Sequence, residues 1–179
     1  MEYFRDQAQR GDIILGYMDE TGICSTPGNR YAWVKRGETH QVTATRSKRV
    51  NIMGALLSTG DFVSTCLQES VTGQYFYAYI MGIAKQVKEK HDNPLIIIVD
   101  NASIHKSKQM QAWRDLLQED YNTTLYFLPP YSPELNRIEM LWKQMKYHWR
   151  KFTWMSTDQI IEWVEDVSNQ FGEKYLFTF

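Results

Sequence analysis

Leu95-Ile96-Ile97-Ile98-Val99-Asp100 is the stretch on which the fold turns. Five apolar residues follow one another without alternation, so both faces of the strand they form must be covered. Such a strand belongs in the interior of a sheet with helices on each side, and Pro94 marks where the chain restarts to enter it. The acid that ends the run is out of place in a core, because an unpaired buried carboxylate is costly. Asp100 therefore falls at the carboxyl end of a central strand, where α/β sheets build their sites.

Upstream, Ile13 to Met18 is a short apolar run ending at Asp19 and reads as a strand. Tyr31 to Val34 reads as a second and Val50 to Leu57 as a third, which Ser58-Thr59-Gly60-Asp61 turns into Phe62 to Leu67 as a hairpin. From Thr72 the apolar period changes to three and four (Tyr75, Phe76, Tyr79, Ile80, Ile83, Val87), predicting an amphipathic helix that ends near Lys90. Downstream of Asp100, Met110, Trp113, Leu116 and Leu117 mark the inner face of another helix, and Thr123 to Leu128 a further strand. Pro129-Pro130-Tyr131-Ser132-Pro133 is a rigid loop. Leu135, Ile138, Leu141, Trp142 and Met145 predict a helix running towards Trp149. Ser156 with Gln159 has capping-box spacing and opens a last helix over about 156–171. An antiparallel meander feeding a parallel core predicts one α/β domain over 1–179, its mixed sheet covered by helices on both faces and its core within about 12–151.

The 179 residues are 43% hydrophobic and 14% aromatic, enough to fill such a core. No apolar run approaches the roughly 18 to 20 residues of a bilayer-spanning helix, and the first residues lack the pattern of a secretory signal. Cys24 and Cys66 stand alone, neither a disulfide framework nor a zinc site, and fit a reducing cytosol. The formal net charge of -1 looks unpromising for a polyanionic partner, but the charge is uneven. Residues 30–50 sum to +5 and residues 134–151 to +3, against -3 over 1–29 and -4 over 152–179. Each basic run alone is an ordinary solvated face; two that the fold brings together form a phosphate-binding surface.

Asp19 and Asp100 both follow apolar strands. Meeting at adjacent strand ends, they would raise each other's proton affinity unless a cation sat between them, and their hard oxygens suit Mg²⁺ or Mn²⁺. Taken singly, each is equally a turn or cap residue. Glu139 is a candidate third ligand at the edge of its helix's apolar stripe, but Asn136 three residues before it offers a capping box instead, and Glu134 is a rival acid.

GYMDETGI (16–23), VDNASIHKS (99–107) and LPPYSPELNRIEMLW (128–142), in that order, resemble the catalytic domain of DDE transposases, in the bacterial insertion-sequence branch of the mariner superfamily. Trp33-Val34-Lys35-Arg36-Gly37 is similar to a further family motif. The resemblance covers about Asp12 to Lys151 and implies an RNase H-like fold. By position it makes Asp19, Asp100 and Glu139 the catalytic acids and metal ligands, Glu139 rather than Glu134 because the family's glutamate directly follows the isoleucine. His105 matches a histidine common in the second motif and is equally a polar residue at a helix start near Ser103 and Ser107; with Asn101 it is a candidate neighbour of the active site. Arg137 stands where relatives usually carry proline, and the 39 positions between Asp100 and Glu139 suggest a small insertion around 115–124.

The resemblance implies metal-dependent cleavage of phosphodiesters at transposon ends, then transfer of the freed 3′-OH into target DNA. Two Mg²⁺ or Mn²⁺ ions would be held by the three acids. Double-stranded DNA is the implied partner, with a TA target step, a homodimer as the assembly, and the bacterial cytoplasm, at the nucleoid, as the location. Lys35, Arg36, Arg46, Lys48, Arg49, Arg137, Lys143, Lys146, Arg150 and Lys151 are the DNA-binding candidates. Tyr131, Trp142 and Trp149 read as packing residues rather than base-stacking platforms. Relatives carry a helix-turn-helix DNA-binding region ahead of the catalytic domain. With 18 residues before Asp19, the expectation is a catalytic domain alone, from a truncation or a split reading frame. The rival readings are a cellular nuclease or resolvase of the same fold, and an inactive, domesticated DNA-binding remnant.

Overall fold

The computed structural model describes residues 1–27, 33–39, 47–100 and 108–177. One five-stranded sheet organises them, in the order β3-β2-β1-β4-β5. β1 (Ile14–Cys24), β2 (Arg49–Leu57) and β3 (Phe62–Leu67) form the antiparallel meander, and β4 (Leu95–Val99) and β5 (Thr123–Phe127) add parallel strands on the other side. β4 lies between β1 and β5, the interior place its unbroken apolar run requires: Leu95, Ile97, Ile98 and Val99 are all buried.

Two hydrophobic clusters sandwich the sheet. On one face α2 (Gly73–Lys90) lays Phe76, Ile80, Ile83 and Val87 onto Met18, Met53 and Ile97, with Leu117 of α3 (Lys108–Tyr121) beside them. On the other face Leu15, Tyr17, Ile52 and Leu56 meet Ile138, Leu141 and Trp142 of α4 (Ile138–Gln144) and Ile160, Val164 and Val167 of α5 (Thr157–Asn169). α1 (Glu2–Gln9) packs Phe4 and Ala8 against this second cluster. Sequence reasoning missed it, although Met1, Phe4 and Ala8 recur at three and four; none of its residues is fully buried.

The capping box expected at Ser156 and Gln159 forms and opens α5. Thr72, where the helical period begins, also caps α2 by accepting from Tyr75 N. Cys24 and Cys66 are free thiols.

Other expectations need correction. β1 does not stop at Asp19 but runs on to Cys24, because β2 offers a full antiparallel partner as far as Arg49. Of the strand expected at Tyr31–Val34, the first two residues lie outside the described ones; Trp33 and Val34 are exposed and in no strand. Leu116 faces solvent rather than the core, and Met110's side chain lies outside the described set. Residues 115–124, where a small insertion is expected, form the end of α3, Asn122 at φ 48°, and the start of β5. The helix expected to reach Trp149 widens after Gln144 into a π-turn, Met145–Trp149, closed by Arg150 N donating to Met145 O at 3.0 Å.

These placements set a stability order. Ile97→Ala, emptying a fully buried site in the central strands, should cost about 3 kcal/mol. Ser156→Ala, losing one cap, should cost about 1 kcal/mol. Urea unfolding of the two variants checks the order; equal losses would contradict it.

Candidate active site

The site follows from where β1 and β4 part. Their parallel pairing ends at Tyr17 opposite Ile98. β1 continues, paired only to β2, while β4 ends at Val99. Asp19 and Asp100 each lie two residues beyond that last pair, side by side where the strands diverge. Asp19 is thus mid-strand in its ladder with β2, yet at the end of its ladder with β4.

Side chains alternate along β1, so Asp19 shares the face of Leu15 and Tyr17, which α4 covers. Residues 128–133 and a single 3₁₀ turn, Pro133–Leu135, carry the chain from β5 back over this edge to α4. Asn136, 2% exposed, donates from Nδ2 to Met18 O at 2.9 Å, on the strand edge that β4 has vacated. The capping box does not form: Asn136 Oδ1, the atom that would accept, is buried without a hydrogen-bond partner, Glu139 N donates to the Asn136 backbone oxygen at 3.1 Å instead, and the N-cap is Arg137, with no side-chain cap on α4. Glu139 is therefore released from a capping role and stands exposed in the first turn, where the helix dipole favours a negative charge.

Asp19, Asp100, Glu139 and Asn136 line one cavity of about 550 Å³ whose outer wall is the 129–133 loop. Tyr131, in the left-handed region at φ 58°, stands fully exposed on that wall, so it is not the packing residue expected from its aromatic area. Trp142, by contrast, is 2% exposed and does more than pack: its Nε1 donates to Asp19 Oδ2 at 3.0 Å. Trp149 packs partly buried against Phe171 and Tyr175.

Burial, above all, pushes the Asp19 carboxyl up to about 7; the charges of Glu139 and Asp100 add to the rise, while bonds from the Glu20 backbone and Trp142 oppose it. An all-oxygen donor set whose deepest member resists ionisation is matched by a hard divalent cation, which supplies the missing positive charge. Among the described residues no three acidic, histidine or cysteine side chains are packed as closely as the ligands of one ion. The three acids ring the cavity rather than meet at a point, as like charges do without a cation between them.

The basic candidates divide. Along the α4 face of β1, Lys146 donates to Thr21 Oγ1 and Arg150 to Ser25 O, the latter at 2.8 Å. Arg49 reaches across from β2 to lie over Gly22, close enough for its charge to act on Lys146, whose own proton affinity burial lowers. Lys146, which feels the charge of Glu139, and Arg150 lie on the α4 face of β1, whereas Arg49, over Gly22, lies on the other face of the sheet, so the two basic stretches are near in charge but not joined on one face. Lys35, Arg36, Lys48, Lys143 and Lys151 are exposed. Arg137 lines a different, smaller cavity with Arg5. Arg46, Asn101 and His105 lie outside the described residues. Sequence reasoning missed the Asn136–Met18 tie and the Trp142–Asp19 bond. Gly54, interrupting the apolar run of β2 directly opposite Asp19, was the signal of a close approach there.

Sheet order, helices on both faces and an acid-lined cavity at the strand divergence define an RNase H-like α/β domain. The chain belongs to the DDE superfamily endonuclease family, whose model matches residues 15–162. It is 28% identical over 167 residues to an insertion element IS630 uncharacterized 39 kDa protein of Shigella sonnei, covering 89% of this chain and 47% of that protein. It is 37% identical over 54 residues to the uncharacterized protein y4pE/y4sA of Sinorhizobium fredii, covering 30% of this chain and 35% of that one. The fold matches a Mos1 transposase paired-end complex with the left transposon end at TM-score 0.67 and 17% identity, over 97% of this chain and 54% of that one. It also matches the Mos1 catalytic domain with raltegravir and Mn at TM-score 0.62 and 15% identity, over 94% and 77% of the two chains. The chain spans about half the length of the IS630 protein and of the full Mos1 transposase chain. Among the described residues no helix is long and apolar enough to cross a membrane.

The Asp19 environment makes a pH prediction. Unfolded, the carboxyl ionises near 3.8; folded, near 7. Between those values the folded chain keeps a proton that the unfolded chain has released, so Asp19's contribution to stability is greatest below pH 4 and is lost as pH rises through about 7. In metal-free buffer, Asp19→Asn should therefore stabilise the fold at pH 8, by an amount on the order of 2–4 kcal/mol, and leave it unchanged at pH 4. Denaturation at the two pH values measures it, and a gain independent of pH would refute it.

Proposed function

We propose that this chain is the catalytic domain of a bacterial DNA transposase, cutting phosphodiesters at the ends of a mobile element and joining the freed 3′-OH to target DNA. The observation that carries the reading is the convergence of Asp19, Asp100 and Glu139, from three separate elements, on one cavity of a DDE-family chain. The solved relatives give it support: Mos1 structures include a strand transfer complex and paired-end complexes with Mn and with Mg.

In this reading the three carboxylates hold two divalent ions, Mg²⁺ or Mn²⁺. Bound there, such ions lower the pKa of an attacking water and stabilise the leaving 3′ oxygen. The rest falls to the chain's own residues. Asp19, pinned by Trp142, would be the fixed ligand, and Asp100 and Glu139, both exposed, would supply the remaining carboxylates. Residues 129–133 line the same cavity as the three acids. Lys146 and Arg150 on the α4 face and Arg49 on the other face of the sheet are the nearest phosphate-binding candidates, with Lys35, Arg36, Lys48, Lys143 and Lys151 as outlying contacts. Such contacts seat DNA without reading its sequence. Double-stranded element ends, a TA target step, a dimeric assembly and action in the bacterial cytoplasm complete the proposal. Residues 1–179 act in it as a single catalytic unit.

Two measurements test it. Asp100→Asn should reduce Mg²⁺- or Mn²⁺-dependent cleavage of element-end DNA to background with the melting temperature held within a few degrees; cleavage at the wild-type rate would sink the assignment. Given pre-cleaved ends, the wild-type chain should join them to a second duplex, and cutting without joining would indicate a nuclease instead. Among the basic candidates, Arg49→Ala should weaken binding of unrelated duplexes to a similar degree and flatten the slope of log K against log salt by about 0.9. An unchanged slope would remove Arg49 from the interface.

A further inference from the structure

We infer that Trp142 is the positioning residue of the catalytic acid Asp19, and that residue 54 is glycine because the Trp142 ring occupies the space where a side chain would stand. The inference rests on the metal-site reading above and assigns roles to two residues that the chemistry does not itself require.

Two observations on different elements carry it. The first is the bond from Trp142 Nε1 to Asp19 Oδ2 at 3.0 Å, made by a ring that is almost wholly buried. An indole N–H only donates, so the oxygen facing it must be an acceptor. One lone pair of Oδ2 is thereby held by the ring, which fixes the rotation of the carboxylate and so the direction in which its remaining lone pairs point. The arrangement is also self-enforcing: rotating the carboxylate away would strand a buried N–H without a partner.

The second observation lies on β2. Gly54 is the register partner of Asp19, and its backbone is not in the left-handed region, so no turn requires a glycine there. A glycine inside a strand weakens it. A Cβ at this position would lie 2.3 Å from Cη2 and 2.9 Å from Cζ2 of Trp142, closer than real atoms come. It would also lie 2.9 Å from Cε2 of Phe62, whose ring meets Trp142 edge-on at 5.8 Å between centroids. The indole is thus wedged between Gly54 and Phe62, and that wedge aims its N–H at the carboxylate. Seen from Asp19, the strand partner is bare so that the helix can supply the hydrogen bond.

The test is Mn²⁺ binding by isothermal titration calorimetry to the whole chain, at pH 8, alongside metal-free thermal unfolding. Trp142→Phe keeps a ring in the wedge and removes the donor; it should weaken Mn²⁺ about tenfold, the loss of one hydrogen bond to a charged group. Gly54→Ala leaves the indole intact and displaces it, and should weaken Mn²⁺ by a similar factor. The double variant should bind no worse than Trp142→Phe alone, because both act through one bond. Should Gly54→Ala fail to fold, Trp142→Phe decides the question by itself. A lowered melting temperature with wild-type Mn²⁺ affinity would make Trp142 a packing residue and overturn the inference, as would fully additive losses. Wild-type protein that binds Mn²⁺ no better than Asp19→Asn would instead overturn the metal-site reading, and the inference with it.

Discussion

The structure depends on the parting of β1 and β4 after the pair Tyr17 and Ile98. Up to that point two parallel strands satisfy each other's backbone and bury both faces. Beyond it β1 keeps its partner on one edge only, and the other edge must find hydrogen bonds elsewhere. Asn136 supplies one of them, at Met18 O, and in doing so fixes the start of α4 three residues before Glu139. One unpaired edge thereby creates the opening for a cavity and ties down the element that brings the third acid to it.

From there α4 and its π-turn run along the face of β1 that carries Asp19, in contacts spaced by four residues: Trp142 to Asp19, Lys146 to Thr21, Arg150 to Ser25. The order is chemically graded. Next to the acids stands a neutral donor that holds a carboxylate in place; farther along the strand the donors are cationic, and the charge of Arg49, on the other face of the sheet, acts on Lys146. A cation placed where Trp142 stands would neutralise Asp19 and compete with a metal. An indole orients the carboxylate without doing so. In the proposed chemistry the metal end and the phosphate end of the site are thus laid out along a single helix–strand contact.

Much of this was legible in the sequence. The unbroken apolar run of 95–99 required an interior strand, and the acid after it was conspicuous because a core has no use for one. The hairpin, the amphipathic period of α2 and the capping box of α5 are local patterns whose physics is complete within a dozen residues, and they stand as read. The readings that failed share a cause. Asp19 looked like a strand end because its partner β2 is some thirty residues away in sequence; Asn136 looked like a cap because its acceptor, Met18, is 118 residues away. Tyr131 looked like core because ring area favours burial, whereas a proline-rich loop holds it outward on the cavity wall.

The sequence by itself determined the class of fold and the central strand and singled out three candidate acids, since apolar periodicity and ordered motifs are properties of neighbours along the chain. It could not determine what each polar group is used for. Whether Asn136 caps a helix or ties down a strand, whether Trp142 fills a core or orients a carboxylate, and why residue 54 carries no side chain are decided by which atoms lie within about 3 Å. Those contacts join β1, β2 and α4, which the sheet register alone brings together. Hydrogen bonds and excluded volume act over a few ångströms of space, and only the tertiary fold turns distance along the chain into distance between atoms.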